Sequence, residues 1–326
     1  MSAQAPQPIE PVGEDQILSA TQAAFGCAAR ITHCAQIDGG HFNTLYDIKT
    51  SNPDQHVVLR IAPRDNVFLY RYERTMMLAE PFIYELIGRA GVPTMDVLAV
   101  DGSRSIIDRD YMIAGYIDAV TMRDPSVPQE ARPHLRREAG RYTARIHTIS
   151  GSKFGWITPD GSVRGSDSWA EVFGELMEQS FAAAREAGII SKADCAATLR
   201  CFGDHRAVFD EVRSPVLVHN DIWDPNIMVA CRNEEWRIEA MIDADRAVYA
   251  DREFEPALWE DADDDFLAGY GTPLDASPSA MLRRQFYRMQ LYAQYAWYYL
   301  VMRPTPDFQA HSKRVVMEGL SGLLGG

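Results

Sequence analysis

The chain has 326 residues and a formal net charge of −14, from 32 basic and 46 acidic residues. This acidic balance argues against a nucleic-acid-binding protein, which normally carries a basic surface, and it is compatible with cationic small-molecule partners or with ordinary solubility. The hydrophobic content of 46% is typical of a globular protein, and no apolar run reaches the ~18–20 residues that span a bilayer.

The amino terminus and the cysteines indicate the compartment. The first residues lack a basic segment followed by an apolar one, so they do not resemble a secretory signal, and their Pro and Gln content predicts a disordered lead over residues 1–12. Five cysteines without a CxxC pair favour free thiols over disulfides or a zinc site. We expect a cytoplasmic protein that is a monomer or a homodimer and has no membrane or nucleic-acid partner.

The first part of the chain, residues 13–117, predicts a β-rich lobe. In chain order the apolar patterns predict a helix, two strands around a turn, a second helix and two further strands, at residues 14–29, 45–48, 57–61, 72–90, 94–100 and 111–116.

The remainder, residues 118–326, predicts a mainly helical lobe. Helical periods cover residues 130–148, 169–187 and 192–213, and the chain is helical again from residue 254, with an aromatic helix at residues 283–302. A connector rich in Gly, Ser and Asp, residues 150–168, separates the first two helices.

Between these helices, three short apolar runs are associated with oxygen-bearing side chains. The run at residues 216–218 leads into His219-Asn220-Asp221, Asn226 precedes the second run, and Asp243 ends the third. A carboxylate base together with Asn and Asp oxygen ligands is typical of Mg²⁺-dependent phosphoryl transfer. The alternative for Asp221 is a loop carboxylate that caps a turn.

The order and spacing of these motifs resemble the aminoglycoside phosphotransferase and choline-kinase-like group of small-molecule kinases. The stretches HNDIWDPN and IDAD carry the resemblance, with VVLRIAP and RIHTISGSKFGW before them, and it covers roughly residues 33 to 300. It implies an α+β, two-lobed protein-kinase-like fold with a β-rich N-lobe and a mainly helical C-lobe. It also implies ATP, or GTP, and Mg²⁺ as cofactors.

The resemblance assigns catalytic roles to the central motifs. Asp221 matches the catalytic Asp that receives the proton of the acceptor hydroxyl, and Asn226 and Asp243 match the metal ligands. Asp245 competes with Asp243, which we prefer because it directly follows an apolar run. Asp251 matches an Asp that helps to hold the C-lobe together.

Further positions match the nucleotide site. Arg60 lies where the group usually has a Lys, so its phosphate geometry must differ. Glu80 is the preferred partner of Arg60, and Glu73 is the alternative. The expected nucleotide-binding residues are Gly39, Gly40 and Asn43 in the phosphate loop, Arg60 with Glu80, and Met112, Ala114 and Tyr116 in the adenine hinge.

The two histidines of the motifs are expected to be structural. We expect His147 to be a buried structural residue and His219 to brace the catalytic loop. Asn220 replaces the Gly that many relatives have at this point, and Asn tolerates unusual backbone angles.

The sequence defines the acceptor less well than it defines the reaction. Residues 260–265 hold five acids in six residues, which could receive the ammonium groups of a basic antibiotic or simply begin a solvated helix. Glu255, Trp259 and Asp263 are the candidate acceptor contacts.

We therefore expect an ATP-dependent O-phosphotransferase acting on a small, cationic hydroxyl acceptor, most consistent with an aminoglycoside-type antibiotic and hence with a resistance enzyme. The alternatives are a metabolic kinase acting on a sugar, amino alcohol or glycated amine, and a nucleotide-binding pseudokinase. The intact set of Asp221, Asn226 and Asp243 counts against the pseudokinase.

Overall fold

A computed structural model describes residues 9–38, 42–65, 69–260, 262–301 and 303–324 of the chain. The predicted phosphate-loop residues Gly39 and Gly40 lie outside these ranges. All five cysteines are free thiols, as the sequence predicts. Within the described ranges, no helix is both long enough and apolar enough to cross a membrane.

The N-terminal lobe is a five-stranded antiparallel sheet with a helix on each face. Its strand order is β1–β2–β3–β5–β4. The elements, with their bounds, are α1 (Glu14–Phe25), β1 (Arg30–Ile37), β2 (Thr44–Ser51), β3 (Gln55–Ile61), α2 (Met76–Arg89), β4 (Val97–Asp101) and β5 (Tyr111–Gly115).

Alternation along β3 decides which of its side chains face each helix. Leu59 and Ile61 are fully buried in the core between the sheet and α1. Arg60 lies between them in sequence and therefore points to the opposite face, where it contacts Glu80 of α2. The alternation of side chains along β3 thus places the buried Arg60 on the face of the sheet that is covered by α2.

Residues 9–12 are held against this sheet. The backbone N–H groups of Glu10 and Val12 donate to Thr44 Oγ1 and Tyr46 Oη, each at 3.0 Å, and Arg109 Nη1 donates to the Glu10 carbonyl at 3.0 Å. The prediction of disorder is therefore wrong for these residues, because partners distant in sequence satisfy their backbone groups. Residues 1–8 lie outside the described part of the chain.

The second lobe is mainly helical and contains two small antiparallel sheets. Its helices are α3 (Arg132–Ile146), α4 (Trp169–Glu186), α5 (Lys192–Asp204), α6 (Arg206–Asp210), α7 (Asp264–Tyr270), α8 (Pro278–Val301) and α9 (Pro306–Leu324). Its strands are β6 (Val120–Thr121), β7 (Phe154–Ile157), β8 (Val163–Ser166), β9 (Val216–Val218), β10 (Ile227–Arg232), β11 (Glu235–Met241) and β12 (Val248–Ala250). They pair in the orders β11–β10–β6 and β8–β7–β12–β9.

Three local predictions need correction. The connector at residues 150–168 contains the β7–β8 hairpin, whose strands approach closely because Gly155 and Gly165 have no side chains to separate them. The helix predicted over residues 192–213 is divided into α5 and α6. In the first lobe, strand β1 was not predicted. Strand β9 pairs with β12, so the catalytic motifs are distributed over two sheets.

An aromatic core fixes the end of β12. Trp169 Nε1 donates to Tyr287 Oη at 2.7 Å, and the Tyr287 hydroxyl donates to Asp251 Oδ2 at 2.9 Å. Arg283 Nε reaches the same carboxylate oxygen at 3.0 Å. Asp251 therefore ties α4 and α8 to the turn that follows β12, which agrees with the role expected from the sequence.

Helices α3 and α7 cross at glycines. A Cβ atom added to Gly140 of α3 would lie 2.1 Å from the Phe266 carbonyl oxygen, and one added to Gly269 of α7 would lie 2.0 Å from the Arg137 carbonyl oxygen. Since both obstacles are backbone atoms, they cannot move aside as a flexible side chain would. The crossing therefore requires glycine at both positions.

We expect Gly140→Ala to lower the free energy of unfolding by about 1–3 kcal/mol, because it overpacks this crossing. Gly203 of α5 is the matched control, since a Cβ atom there would meet nothing within 4 Å, and Gly203→Ala should leave stability unchanged or raise it by up to about 1 kcal/mol. Urea unfolding of both variants measures the difference. Equal destabilisation by both substitutions would contradict the close crossing.

Candidate active site

The loop after β9 is held from below by one buried carboxylate. Glu255 is 0% exposed, and its Oε2 atom accepts the backbone N–H groups of His219 and Asn220 at 3.0 and 3.1 Å. Asn220 has a positive φ of 64°, a conformation that Asn tolerates better than most residues. The loop backbone is thus fixed immediately before Asp221.

Asp221 lies half-buried at the tip of this loop. Asn226 Nδ2 donates to Asp221 Oδ2 at 2.8 Å and to the Asp221 carbonyl at 3.0 Å. Burial raises the pKa of the Asp221 carboxyl to about 7, with a further increase from the charge of Asp243 and opposing effects from Arg246 and Asn226. The two motif residues Asp221 and Asn226 are therefore in direct contact.

Asp243 lies two residues after β11, close enough for its charge to act on Asp221. Its backbone is left-handed, with φ 61° and ψ 46°, and its side chain is 39% exposed. Asp245 is only 7% exposed, and burial, followed by the charges of Asp243 and Glu80, raises the pKa of the Asp245 carboxyl well above its usual range. Of the two competing carboxylates, Asp243 is the one open to a ligand.

Arg60 connects the two lobes across the cleft. Its Nη1 atom lies 2.8 Å from Glu80 Oε1, and its Nη2 atom lies 2.8 Å from Asp243 Oδ1. Burial disfavours the guanidinium charge, yet the Glu80 and Asp243 carboxylates raise the pKa of Arg60 well above its usual range. Arg60 is thus a permanent cation shared by α2 and the end of β11.

Glu73, the alternative partner of Arg60, lies elsewhere. It is buried beside Arg246, with 3.7 Å between Glu73 Oε1 and Arg246 Nη2, and it accepts the Tyr70 backbone N–H at 2.8 Å. Its segment precedes α2, which begins at Met76 and not at residue 72, because Tyr70 and Tyr72 are buried among the helices of the second lobe. Glu80 therefore forms the ion pair with Arg60.

Two residues of this site were not anticipated from the sequence. Tyr84 is four residues after Glu80 on the same face of α2, and its hydroxyl contacts Glu80 and the Asp243 backbone. Arg246 lies close enough to Asp221 to lower the pKa of that carboxyl. The sequence contains a signal for each of them. The i, i+4 spacing from Glu80 places Tyr84 on the same helical face. Arg246 directly follows the IDAD motif.

The predicted hinge lies on β5. Met112 and Ala114 are buried and belong to the core shared with α2, whereas Tyr111 and Ile113 belong to the core under α1. Tyr116 is partly exposed after the strand, stacked on His56 with ring centroids 3.6 Å apart. Asn43, beside the predicted phosphate loop, is buried with no hydrogen-bond partner for its Oδ1 atom within the described chain.

The residues present fit a divalent cation that is bound together with a nucleotide. Asn226 directs its Nδ2 atom at Asp221, so its Oδ1 atom is not used in that contact, and the Asp243 carboxylate is 39% exposed. The described residues contain no group of three or more His, Cys, Asp or Glu side chains placed to hold a metal. Mg²⁺ commonly takes one or two protein ligands and completes its shell with substrate phosphates and water, so Asn226 and Asp243 would be enough to hold it.

The expected acceptor residues are already engaged within the chain. Glu255 is enclosed beneath the loop, Trp259 Nε1 donates to the Glu253 carbonyl at 2.9 Å, and Asp263 caps α7 while contacting Arg136 Nε at 2.7 Å. For Glu255 the expectation of direct acceptor contact needs correction, because a side chain with 0% exposure cannot meet a ligand in this conformation.

The acidic segment at residues 260–265 is also largely paired. Arg288 Nε lies 3.3 Å from Glu260 Oε2, and Arg137 contacts Asp265. Residue 261 lies outside the described residues. With Asp263 as its N-cap, the segment forms the start of α7, which is the second of the two interpretations considered from the sequence.

Neither histidine occupies an open position. His147 is buried, with Nδ1 2.8 Å from Tyr270 Oη. His219 is also buried, which lowers the pKa of its ring, and neither ring nitrogen has a hydrogen-bond partner among the described residues. It is the backbone of His219, through Glu255, that braces the loop.

Solved structures with similar folds include kinases of small molecules. A candidate fructosamine-3-kinase from Haemophilus somnus 129PT has a TM-score of 0.66 and 17% identity, covering 94% of this chain and 96% of that chain. A thermostable mutant of aminoglycoside phosphotransferase APH(4)-Ia, in complex with AMP-PNP and hygromycin B, has a TM-score of 0.65 and 16% identity, covering 95% and 100%. The GDP and kanamycin complex of APH(2″)-IIia has a TM-score of 0.61 and 12% identity, covering 94% and 98%.

At these identities the similarity shows the fold, and it confirms the two-lobed, kinase-like α+β architecture predicted from the sequence. A comparison with curated protein sequences gives no significant match. A family model described as the phosphotransferase enzyme family matches residues 33–298. Because this match spans most of the chain, including every described residue of the site, the protein belongs to the phosphotransferase enzyme family.

Proposed function

We propose that this phosphotransferase moves the γ-phosphoryl group of ATP, or of GTP, to a hydroxyl of a small molecule. The observation that carries the proposal is the convergence of Asp221, Asn226 and Asp243 with the Arg60–Glu80 pair in one cleft. The family match supports the reaction class. The nucleotides AMP-PNP and GDP bound to proteins of similar fold support the donor.

In this proposal the chain contributes positioning and charge. Asp221 orients the acceptor hydroxyl and receives its proton, while Arg60 neutralises nucleotide phosphates and is itself held by Glu80. The phosphate-loop role of Gly39, Gly40 and Asn43 stays a prediction, since the two glycines lie outside the described residues. Tyr116 borders the adenine, whereas Met112 and Ala114, which are 0% and 2% exposed, support the strand beside it. Arg lacks the compact charge of the Lys expected here, but its planar fork can contact a phosphate oxygen and a carboxylate at the same time.

Asn226 and Asp243 would hold Mg²⁺ in this proposal. The described cleft has an excess of carboxylates, because Asp221, Glu80, Asp243 and Asp245 face only Arg60 and Arg246 as nearby cations. When bound, the ion supplies positive charge that stabilises the negative charge developing on the transferred phosphoryl group.

For the acceptor we propose a small polyhydroxylated molecule that carries amines. The first class is the aminoglycoside antibiotics, as in the proteins of similar fold that bind hygromycin B and kanamycin. The second class is glycated amines. Arginines of the chain itself pair with Glu260, Asp263 and Asp265. The acidic segment therefore has less free negative charge for a polycationic antibiotic, and this favours the glycated amines as the second class.

Replacing Asp221 tests the reaction directly. We expect Asp221→Asn to reduce turnover about 10²–10⁴-fold, because the group that receives the proton is lost. Nucleotide affinity, measured by calorimetry, should change little, since the nucleotide contacts are made by other residues. Asp204→Asn, on the exposed end of α5, serves as the control with normal activity. Near-normal turnover of the Asp221 variant, measured as ADP release, would exclude Asp221 as the base.

Replacing Glu255 separates loop bracing from acceptor contact. Glu255→Ala leaves two buried backbone N–H groups without an acceptor, so we expect the free energy of unfolding to fall by about 2 kcal/mol or more. Glu255→Gln keeps one acceptor oxygen, so its free energy of unfolding should fall by less than that of Glu255→Ala. If both variants instead kept wild-type stability and raised only the acceptor KM, Glu255 would contact the acceptor, as the sequence first suggested.

A panel of acceptors decides the substrate class. ADP release with Mg²⁺ and either ATP or GTP is measured with kanamycin, hygromycin B, a fructosyl amine, an amino alcohol and a neutral sugar. We expect turnover with the amine-bearing polyols and none with the neutral sugar. Tight nucleotide binding without turnover on any acceptor would favour a regulatory, nucleotide-binding protein.

A further inference from the structure

The hydroxyl of Tyr84 lies at a junction between α2 and the end of β11. It donates to Glu80 Oε1 at 2.9 Å and accepts the backbone N–H groups of Asp243 and Ala244 at 3.0 and 3.3 Å. Tyr84 is 4% exposed, so these three contacts are made out of water. One side chain thus satisfies two backbone donors and a buried carboxylate.

These contacts close a ring that passes through both lobes. Arg60 binds Glu80 Oε1 and Asp243 Oδ1, each at 2.8 Å, and Tyr84 joins Glu80 to the Asp243 backbone. Asp243 is therefore held twice, through its carboxylate by Arg60 and through its N–H by Tyr84. The two attachments act on different atoms of the same residue.

The difference between the attachments matters for a residue that must accept a ligand. Arg60 competes with any cation that approaches Asp243, because both bind the same carboxylate oxygen. The contact with Tyr84 uses only backbone atoms, so it can persist when the carboxylate changes partner. It also supports a backbone with φ 61°, a conformation that non-glycine residues adopt infrequently and need their surroundings to maintain.

We propose that Tyr84 is a positioning residue that fixes the left-handed turn at Asp243, so that the carboxylate is presented to the metal-bound nucleotide. The kinetic consequences rest on the proposed function. The structural consequence, a turn held by the phenol hydroxyl, does not depend on it. A tyrosine with a purely packing role would make its contribution through the ring, and loss of the hydroxyl would then leave the turn unaffected.

The chain contains a matched control for this test. Tyr142 of α3 also donates to the glutamate four residues before it, Glu138, at 3.1 Å, but it makes no contact with the proposed catalytic residues. Tyr84→Phe and Tyr142→Phe each remove one hydroxyl from a helical Tyr–Glu pair at the same spacing. Any effect of losing such a pair in general appears in both variants.

The first measurement is amide hydrogen exchange by NMR in the ligand-free protein. We expect Tyr84→Phe to accelerate exchange at Asp243 and Ala244 by about tenfold or more, because both donors lose their acceptor, while Tyr142→Phe leaves them unchanged. If the Phe variant does not fold, the wild type alone is informative. Its two amides should be protected as well as that of Ile242, which donates to the Asn226 carbonyl at 2.9 Å.

The second measurement is the binding of Mg²⁺·AMP-PNP without acceptor. We expect Tyr84→Phe to raise the Mg²⁺ concentration for half-saturation by about tenfold, with the acceptor KM unchanged in turnover assays. Wild-type exchange and Mg²⁺ dependence in Tyr84→Phe, or equal losses in both Phe variants, would overturn the proposal. Failure of the wild-type protein to bind any nucleotide would overturn the proposed function itself, and the exchange experiment would still decide whether Tyr84 holds the turn.

Discussion

The arrangement of this site depends on one buried cation, Arg60, shared between two carboxylates from different lobes. A buried charge is costly unless it is paired on more than one side, and Glu80 and Asp243 supply that pairing at 2.8 Å each. This pairing compensates the buried charge and also links the positions of elements from both lobes. Because Glu80 belongs to α2 and Asp243 follows β11, the position of the helix is coupled to the position of the exposed carboxylate.

The catalytic loop is supported through two buried carboxylates, Asp251 and Glu255. Asp251 is held by Arg283 and Tyr287 from α8, and the short turn that it caps leads directly to Glu255 beneath the catalytic loop. The aromatic core therefore fixes Asp251 and the turn that follows it, and Glu255 at the end of that turn accepts the backbone N–H groups immediately before Asp221. Loops that carry reactive groups are otherwise among the more mobile parts of a protein, so this support is needed for a defined geometry.

The sequence predicted those features that depend on local spacing. The two helices and four of the five strands of the first lobe follow from apolar periods, whereas β1 was not predicted. The Asp221, Asn226 and Asp243 set follows from motif spacing. The preference for Glu80 over Glu73 came from the resemblance, and the contact of Glu80 with Arg60 agrees with it. It did not predict contacts that depend on burial and on pairing across the fold. Glu255 was predicted as an acceptor contact, and only the folded chain shows it enclosed beneath two backbone N–H groups.

The acceptor side of the cleft is where local sequence was least informative, and the charges explain why. An acidic run predicts attraction to cations only if its carboxylates are free, yet Glu260, Asp263 and Asp265 lie opposite arginines from α3 and α8 that are distant in sequence. Close to Asp221 the nearby charges include the Asp243 carboxylate and the guanidinium of Arg246, which is itself paired with Glu73. The net charge of −14 belongs to the whole chain and does not by itself define the charge that an acceptor meets. Acceptor selectivity must follow from the few groups that face Asp221, among which a cation is already present.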